Sequence, residues 1–86
     1  MSQVEFFASE YVDEDWIDYI NCFEKVVIEV DGMPTKITSV VITLLGEKTG
    51  INWLKSPLLD EMTAYDLVQF DKGEKALKAF IMRLPN

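Results

Sequence analysis

Thr35–Pro57 reads TKITSVVITLLGEKTGINWLKSP, and its first half admits two structures. Many of its residues are β-branched, which favours strand. The spacing favours helix: Ile37, Val40, Val41, Leu44 and Leu45 recur at i, i+3, i+4, i+7 and i+8, the stripe of one helix face. A half-buried strand would alternate, and the Val40-Val41 and Leu44-Leu45 pairs break alternation twice. Pattern outranks propensity here, and the stretch predicts a helix up to Leu45.

Gly46 and Gly50 bracket a short interruption, LGEKTG. Helix resumes through INWLK and stops near Ser56, because a residue followed by proline is pushed out of the α region. Trp53, Leu54 and Pro57 then form a corner. Thr63 with Asp66 three residues on reads as an N-cap with a weak capping box, opening a helix that carries Tyr65, Leu67, Val68 and Phe70. Asp71 is the expected cap of a last helix, whose Ala76, Leu77, Phe80, Ile81 and Leu84 face inward and which Pro85 ends. Its Lys75, Lys78 and Arg83 lie outward or toward the C-terminal end, where positive charge suits the helix dipole.

Upstream, Asp31-Gly32-Met33-Pro34 is a break, with Pro34 suited to a first helical turn. Before it, Trp16, Ile20, Phe23, Val27 and Val30 are spaced 4, 3, 4 and 3 residues apart, one stripe of an amphipathic helix. Asp13, Glu14 and Asp15 fit its first turn. Helix is predicted for 13–25. The β-branched run in KVVIEV leaves 26–30 open between helix and strand. The expectation is an all-α fold, a compact bundle of about five short helices. Its acidic helical segment spans 1–33, and a helical domain spans 34–86, together one compact unit.

Eighty-six residues, 49% hydrophobic, support one core and no more. With no histidine and one cysteine, Cys22, the common zinc ligand sets and the Ser-His and Cys-His nucleophile pairs are missing. Cys22 reads as an ordinary half-buried residue. No intrachain disulfide is possible, which suits a reducing compartment. No apolar run is long enough to span a bilayer, and MSQVEFFASEYVDEDW is no signal peptide; a cytoplasmic protein without a membrane span is expected. Asp60-Glu61 reads as a solvated pair on a linker. LGEKTG lacks the Gly-Lys-Ser/Thr that cradles a phosphate, and DGMPTK lacks the spaced acids of a calcium loop. No enzyme, metal or cofactor is expected.

The net charge of −7 is uneven. Residues 1–33 hold nine acids against Lys25 alone, giving −8, and residues 34–86 hold six acids and seven bases, giving +1. Phosphate backbones repel such a chain, so direct nucleic-acid binding is not expected. The acids form either a solvated helix face or a lure for a basic partner.

Between residues 40 and 84 the chain resembles the toxin-binding domain of Xre/MbcA/ParS-type antitoxins from bacterial toxin–antitoxin systems. The resemblance runs through LLGEKTGINWLKSP, TAYDLV and GEKALKAFIMRL. Its matching positions are Gly46, Trp53, Leu54, Pro57, Thr63, Asp66, Leu67, Gly73, Leu77 and Arg83. It covers residues 36–86, without the helix-turn-helix that many members carry, since the 33 residues before Pro34 are too few and too acidic for one. Ala64 stands where the family has proline.

The resemblance implies a binding protein whose cognate toxin is RES-type and NAD-targeting. The antitoxin's C-terminal helix and tail would block the toxin's active-site entrance, here with Ile81, Met82, Arg83, Leu84, Pro85 and Asn86. Arg83 is either such a contact or a complement to the helix dipole. Trp53, Leu54, Pro57, Thr63 and Asp66 would hold the corner that positions the tail. Trp16, with Ile20 and Phe23, is core or the interface of a homodimer. Two other classes remain: a small acidic phage or mobile-element inhibitor mimicking nucleic-acid charge, and a homodimeric adaptor.

Overall fold

Apolar spacing and chain breaks resolve into six helices in the computed structural model, which describes residues 2–22 and 29–84. They are α1 (Gln3–Glu10), α2 (Asp13–Asn21), α3 (Thr35–Leu45), α4 (Glu47–Lys55), α5 (Ala64–Leu67) and α6 (Asp71–Met82). The fold is all-α, with no strand among the described residues. Its radius of gyration is 11.9 Å, against roughly 12 Å for a compact domain of this length.

Ile37, Val40 and Val41 of α3 are buried as the helical spacing predicts, while Leu44 and Leu45 are half-buried. Thr38 is fully buried too, and its hydroxyl donates to the Pro34 carbonyl at 3.3 Å, so this hydroxyl is not stranded. Pro34 sits at the N-cap, one position before the first turn.

The expected interruption shrinks to Gly46 alone, at φ 86° and ψ 162°, a region essentially reserved for glycine. Gly50 lies inside α4, against α3. A Cβ there would come within 3.3 Å of the Ile42 Cα. The two helices pack that closely because position 50 carries no side chain.

At the corner, Leu54 is fully buried, Trp53 half-buried and Pro57 exposed. Ser56 is extended (φ −89°, ψ 151°), as its place before proline requires. Thr63 and Asp66 form the expected capping box. The Asp66 N–H donates to Thr63 Oγ1 at 3.3 Å and the Thr63 N–H donates to Asp66 Oδ2 at 3.1 Å.

The helix opened there is a single turn, so Phe70 lies outside it, 41% exposed, as the extended N-cap residue of α6. Asp71 is therefore the first residue of α6 rather than its cap, and pairs with Lys75 at 3.1 Å. Gly73 faces the Leu67 carbonyl, only 2.3 Å from where a Cβ would stand. That contact sets the approach of α5 to α6. Ala76, Leu77 and Ile81 are fully buried, Phe80 and Leu84 half-buried.

In the N-terminal third, α2 spans Asp13–Asn21 with Cys22 as its C-cap; the part of the predicted helix at 23–25 lies outside the described residues. Residues 23–28 lie outside the described residues; Glu29 and Val30 are not helical. The sixth helix, α1, is the one the apolar stripes do not predict. Its side chain Val4 and the Trp16 of α2 enter the same core as α3–α6.

Candidate partner-binding surface

The carboxyl end of α6 is built from the core outward. Ile81 points into the core and is fully buried, so it offers nothing to a partner. Met82 and Leu84 are half-buried, and only the Arg83 side chain, 55% exposed, reaches out. Pro85 and Asn86 lie outside the described residues.

Arg83 is already engaged within the chain. Its guanidinium pairs with the Glu10 carboxylate of α1, and lies 5.7 Å from the Phe6 ring centre and 5.6 Å from that of Phe7. Of the two roles the sequence left open for Arg83, neither describes this contact. It fastens the last helix to the first.

Beneath it runs an aromatic row across three helices. Trp53 of α4 stacks on Phe80 of α6 at 6.0 Å and 9° between planes. Phe80 meets Phe7 of α1 edge-on at 5.3 Å, and Phe7 meets Phe6 edge-on at 5.2 Å. Trp53 thus packs the corner and also supports the surface at the end of α6.

The other end of α1 is held by a residue that reads in the sequence as a solvated acid. The Gln3 and Val4 N–H groups donate to Asp60 Oδ1 and Oδ2 at 3.0 and 2.9 Å, and the Asp60 N–H donates to Gln3 Oε1 at 2.7 Å. These bonds, that to Val4 first, hold the Asp60 carboxyl below its usual range. The turn presenting it is tight. Asp60 and Glu61 are both at positive φ, 50° and 63°, and the Met62 N–H donates to the Leu59 carbonyl at 2.8 Å. That is the geometry of a mirror-image hairpin turn, usually made with asparagine and glycine.

On the neighbouring face Trp16 is 4% exposed and stacks on Tyr19 at 6.2 Å; it is a core residue of the single chain. Ile20 is half-buried, and Phe23 lies outside the described residues. Lys78 pairs with Glu74 at 3.2 Å and lies 5.6 and 5.7 Å from the Tyr11 and Trp16 ring centres. The Tyr11 hydroxyl is pushed well above its usual range, by burial first, then by the hydrogen bond and charge of Asp13 and the charge of Glu74. Burial raises Tyr19 as well. Cys22 is exposed, not half-buried; its thiol donates to the Asp18 carbonyl at 3.4 Å.

Among the described residues no three His, Cys, Asp or Glu side chains converge as metal ligands, and no helix is long and apolar enough to cross a membrane. The arrangement offers packing and ion-pair contacts, with an acidic face on α1 and α2. One local sequence signal marks the start of α1. Ser2-x-x-Glu5 is a capping-box pattern, and Ser2 Oγ indeed accepts from the Glu5 N–H at 3.1 Å. Asp60 carries no such local mark. Comparison of the chain with family models, curated proteins and solved structures returned no match.

Proposed function

We infer that the chain is a non-enzymatic binding domain resembling a bacterial antitoxin. It neutralises a RES-type, NAD-targeting toxin by setting the carboxyl end of α6 and the tail against the toxin's active-site entrance. The observation carrying this reading is Arg83: the chain's one arginine, more than half exposed, at the end of the last helix. Arginine is a frequent hot spot at interfaces, and this one lies over the Phe6 and Phe7 rings. Because Ile81 is buried, the contact residues are Met82, Arg83 and Leu84, with Pro85 and Asn86 following.

The test is NAD loss catalysed by a RES-domain toxin. The full chain should stop it, and a chain lacking residues 82–86 should not, at any salt concentration. A full chain without effect, or a truncated one of equal potency, would sink the reading.

A second reading, mimicry of nucleic-acid charge, is favoured by the exposed acids Glu5, Glu10, Asp13, Glu14, Asp15 and Asp18 on α1 and α2. It predicts binding that tolerates the truncation and collapses with modest salt, since exposed charges are screened within about 10 Å at 0.1 M.

A further inference from the structure

Asp13, Glu14 and Asp15 have a local reason to stand where they do. They fill the first turn of α2, where carboxylates suit the positive end of the helix dipole. The aliphatic residues beside them have no such reason. Val12 is the N-cap of α2, 48% exposed, and its side chain makes no cap hydrogen bond; valine is among the poorest residues for that position. Ile17 is 53% exposed. The helix docks on the core through Trp16, Tyr19 and Ile20, and neither Val12 nor Ile17 belongs to that packing.

We propose that the outer face of α2 is a second docking surface, independent of the end of α6. Its occupant is a basic amphipathic segment of another protein, which seats apolar side chains on Val12 and Ile17 and lysines or arginines on the acids around them.

Residues three and four apart share a helix face. For Ile17 these are the exposed Asp13, Glu14 and Asn21 and the half-buried Ile20. An exposed aliphatic group thus stands between two carboxylates. Among the described residues the large exposed hydrophobics are Phe6, Val12, Ile17 and Phe70. Three of them fall within residues 1–33, the part of the chain that carries −8. A face that only kept the chain solvated would need the acids and not the aliphatic groups. Apolar groups rimmed by charge are the makeup of an interaction surface.

Charge selects the occupant. Among the described residues Asp13, Glu14, Asp15 and Asp18 make no ion pair. A second copy turned onto the same face would set these acids against their own kind, and like charges across an interface repel. A phosphate backbone is repelled for the same reason. A lysine- or arginine-rich helix with apolar residues at helical spacing satisfies both halves of the face. This differs from mimicry of nucleic-acid charge, which gives Val12 and Ile17 no role.

The full chain can be titrated with two synthetic peptides of equal charge. One is built of lysine and leucine, with the leucines at helical spacing; in the other serine replaces every leucine. Amide shifts map the site and give Kd. The Lys/Leu peptide should shift Val12, Ile17 and their neighbours. It should still bind at about 0.5 M salt, where exposed charges are screened beyond roughly 5 Å. The Lys/Ser peptide should bind more weakly and be lost at that salt. Ile17→Ser should weaken the Lys/Leu peptide about tenfold and leave the Lys/Ser peptide unchanged. Phe70→Ser, at an equally exposed aromatic outside the acidic third, should change neither.

Val12→Asn separates docking from folding. Asparagine is a strong N-cap, so the thermal midpoint should rise while Lys/Leu binding falls several-fold. A merely structural residue would not move the two in opposite directions. Equal affinity for the two peptides, or an Ile17→Ser Kd within about twofold of wild type, overturns the proposal and leaves the acids a solvated face. So does a Lys/Leu peptide that shifts only the end of α6. Self-association of the chain alone through α2 would overturn it too, by making a second copy the occupant.

Discussion

Asp60 and Val4 are 56 residues apart in sequence and joined by a 2.9 Å bond from the Val4 N–H to Asp60 Oδ2. An acid from one loop thus supplies the cap of a helix at the other end of the chain. Ser2 is the local N-cap, bonded to the Glu5 N–H, and Asp60 takes two donors that Ser2 does not reach. Without them the first turn of α1 would leave those N–H groups to water.

The acid response follows from that bond. Asp60 is held below its ordinary value of 3.8 by the Val4 and Gln3 N–H groups. A carboxyl whose folded value is depressed stabilises fully above its unfolded value and loses that stability as pH falls through the folded one. Wild type and Asp60→Gly should therefore differ in denaturation midpoint at about pH 6, wild type being the more stable. The gap should close as pH falls below the ordinary carboxylate value, and the glycine variant should then overtake wild type by the positive-φ strain it relieves at position 60. A gap independent of pH would place the stabilisation elsewhere.

Glu61 shares the strained turn and, among the described residues, makes no hydrogen bond that offsets it. Its φ of 63° is costly for a residue with a Cβ, and glycine removes the cost. Glu61→Gly should stabilise the domain by about 0.5–1 kcal/mol net of the unfolded-chain entropy that glycine adds. That is a rise of roughly 2–8 °C in thermal midpoint. Neighbouring glycine substitutions in one turn thus act in opposite directions, because only Asp60 carries the cap.

Gly73→Ala reverses the usual helix expectation. Alanine gains about 1 kcal/mol over glycine inside a helix. At position 73, however, its Cβ would stand 2.3 Å from the Leu67 carbonyl oxygen and 2.7 Å from the Phe70 ring. The ring is exposed and can turn away; the backbone carbonyl cannot. A net loss of about 2–3 kcal/mol is expected, at the upper end of overpacking costs. Chemical denaturation should show a lower midpoint. An unchanged midpoint would mean that α5 can back away from α6 freely.

What the sequence disclosed and what it hid divide by range. The spacing of Ile37, Val40 and Val41 specifies α3, and Thr63 with Asp66 specifies the start of α5, because both signals act within a turn or two. Gly46 ends α3 for a reason local to its own φ and ψ. Phe70 misled because it continues the apolar spacing of Leu67, while its extended backbone already belongs to the next helix. Asp60 and Arg83 were opaque in another way. Their partners, Gln3, Val4 and Glu10, lie more than 55 residues away along the chain, and such pairings leave no periodic trace. The candidate surface was thus legible as far as the exposure of Arg83, but not in the helix that covers it.

Trp16 separates fold stability from assembly. It is 4% exposed in the single chain, stacked on Tyr19 and facing Lys78. A tryptophan serving only a dimer interface would be bare in one chain. Trp16→Ala should therefore cost about 3–5 kcal/mol of stability, a large share of the ~5–15 kcal/mol margin of an ordinary domain. Since the loss arises within one chain, the drop in thermal midpoint should be the same at low and high protein concentration. A drop that vanishes on dilution, where any dimer has dissociated, would return Trp16 to an interface between chains.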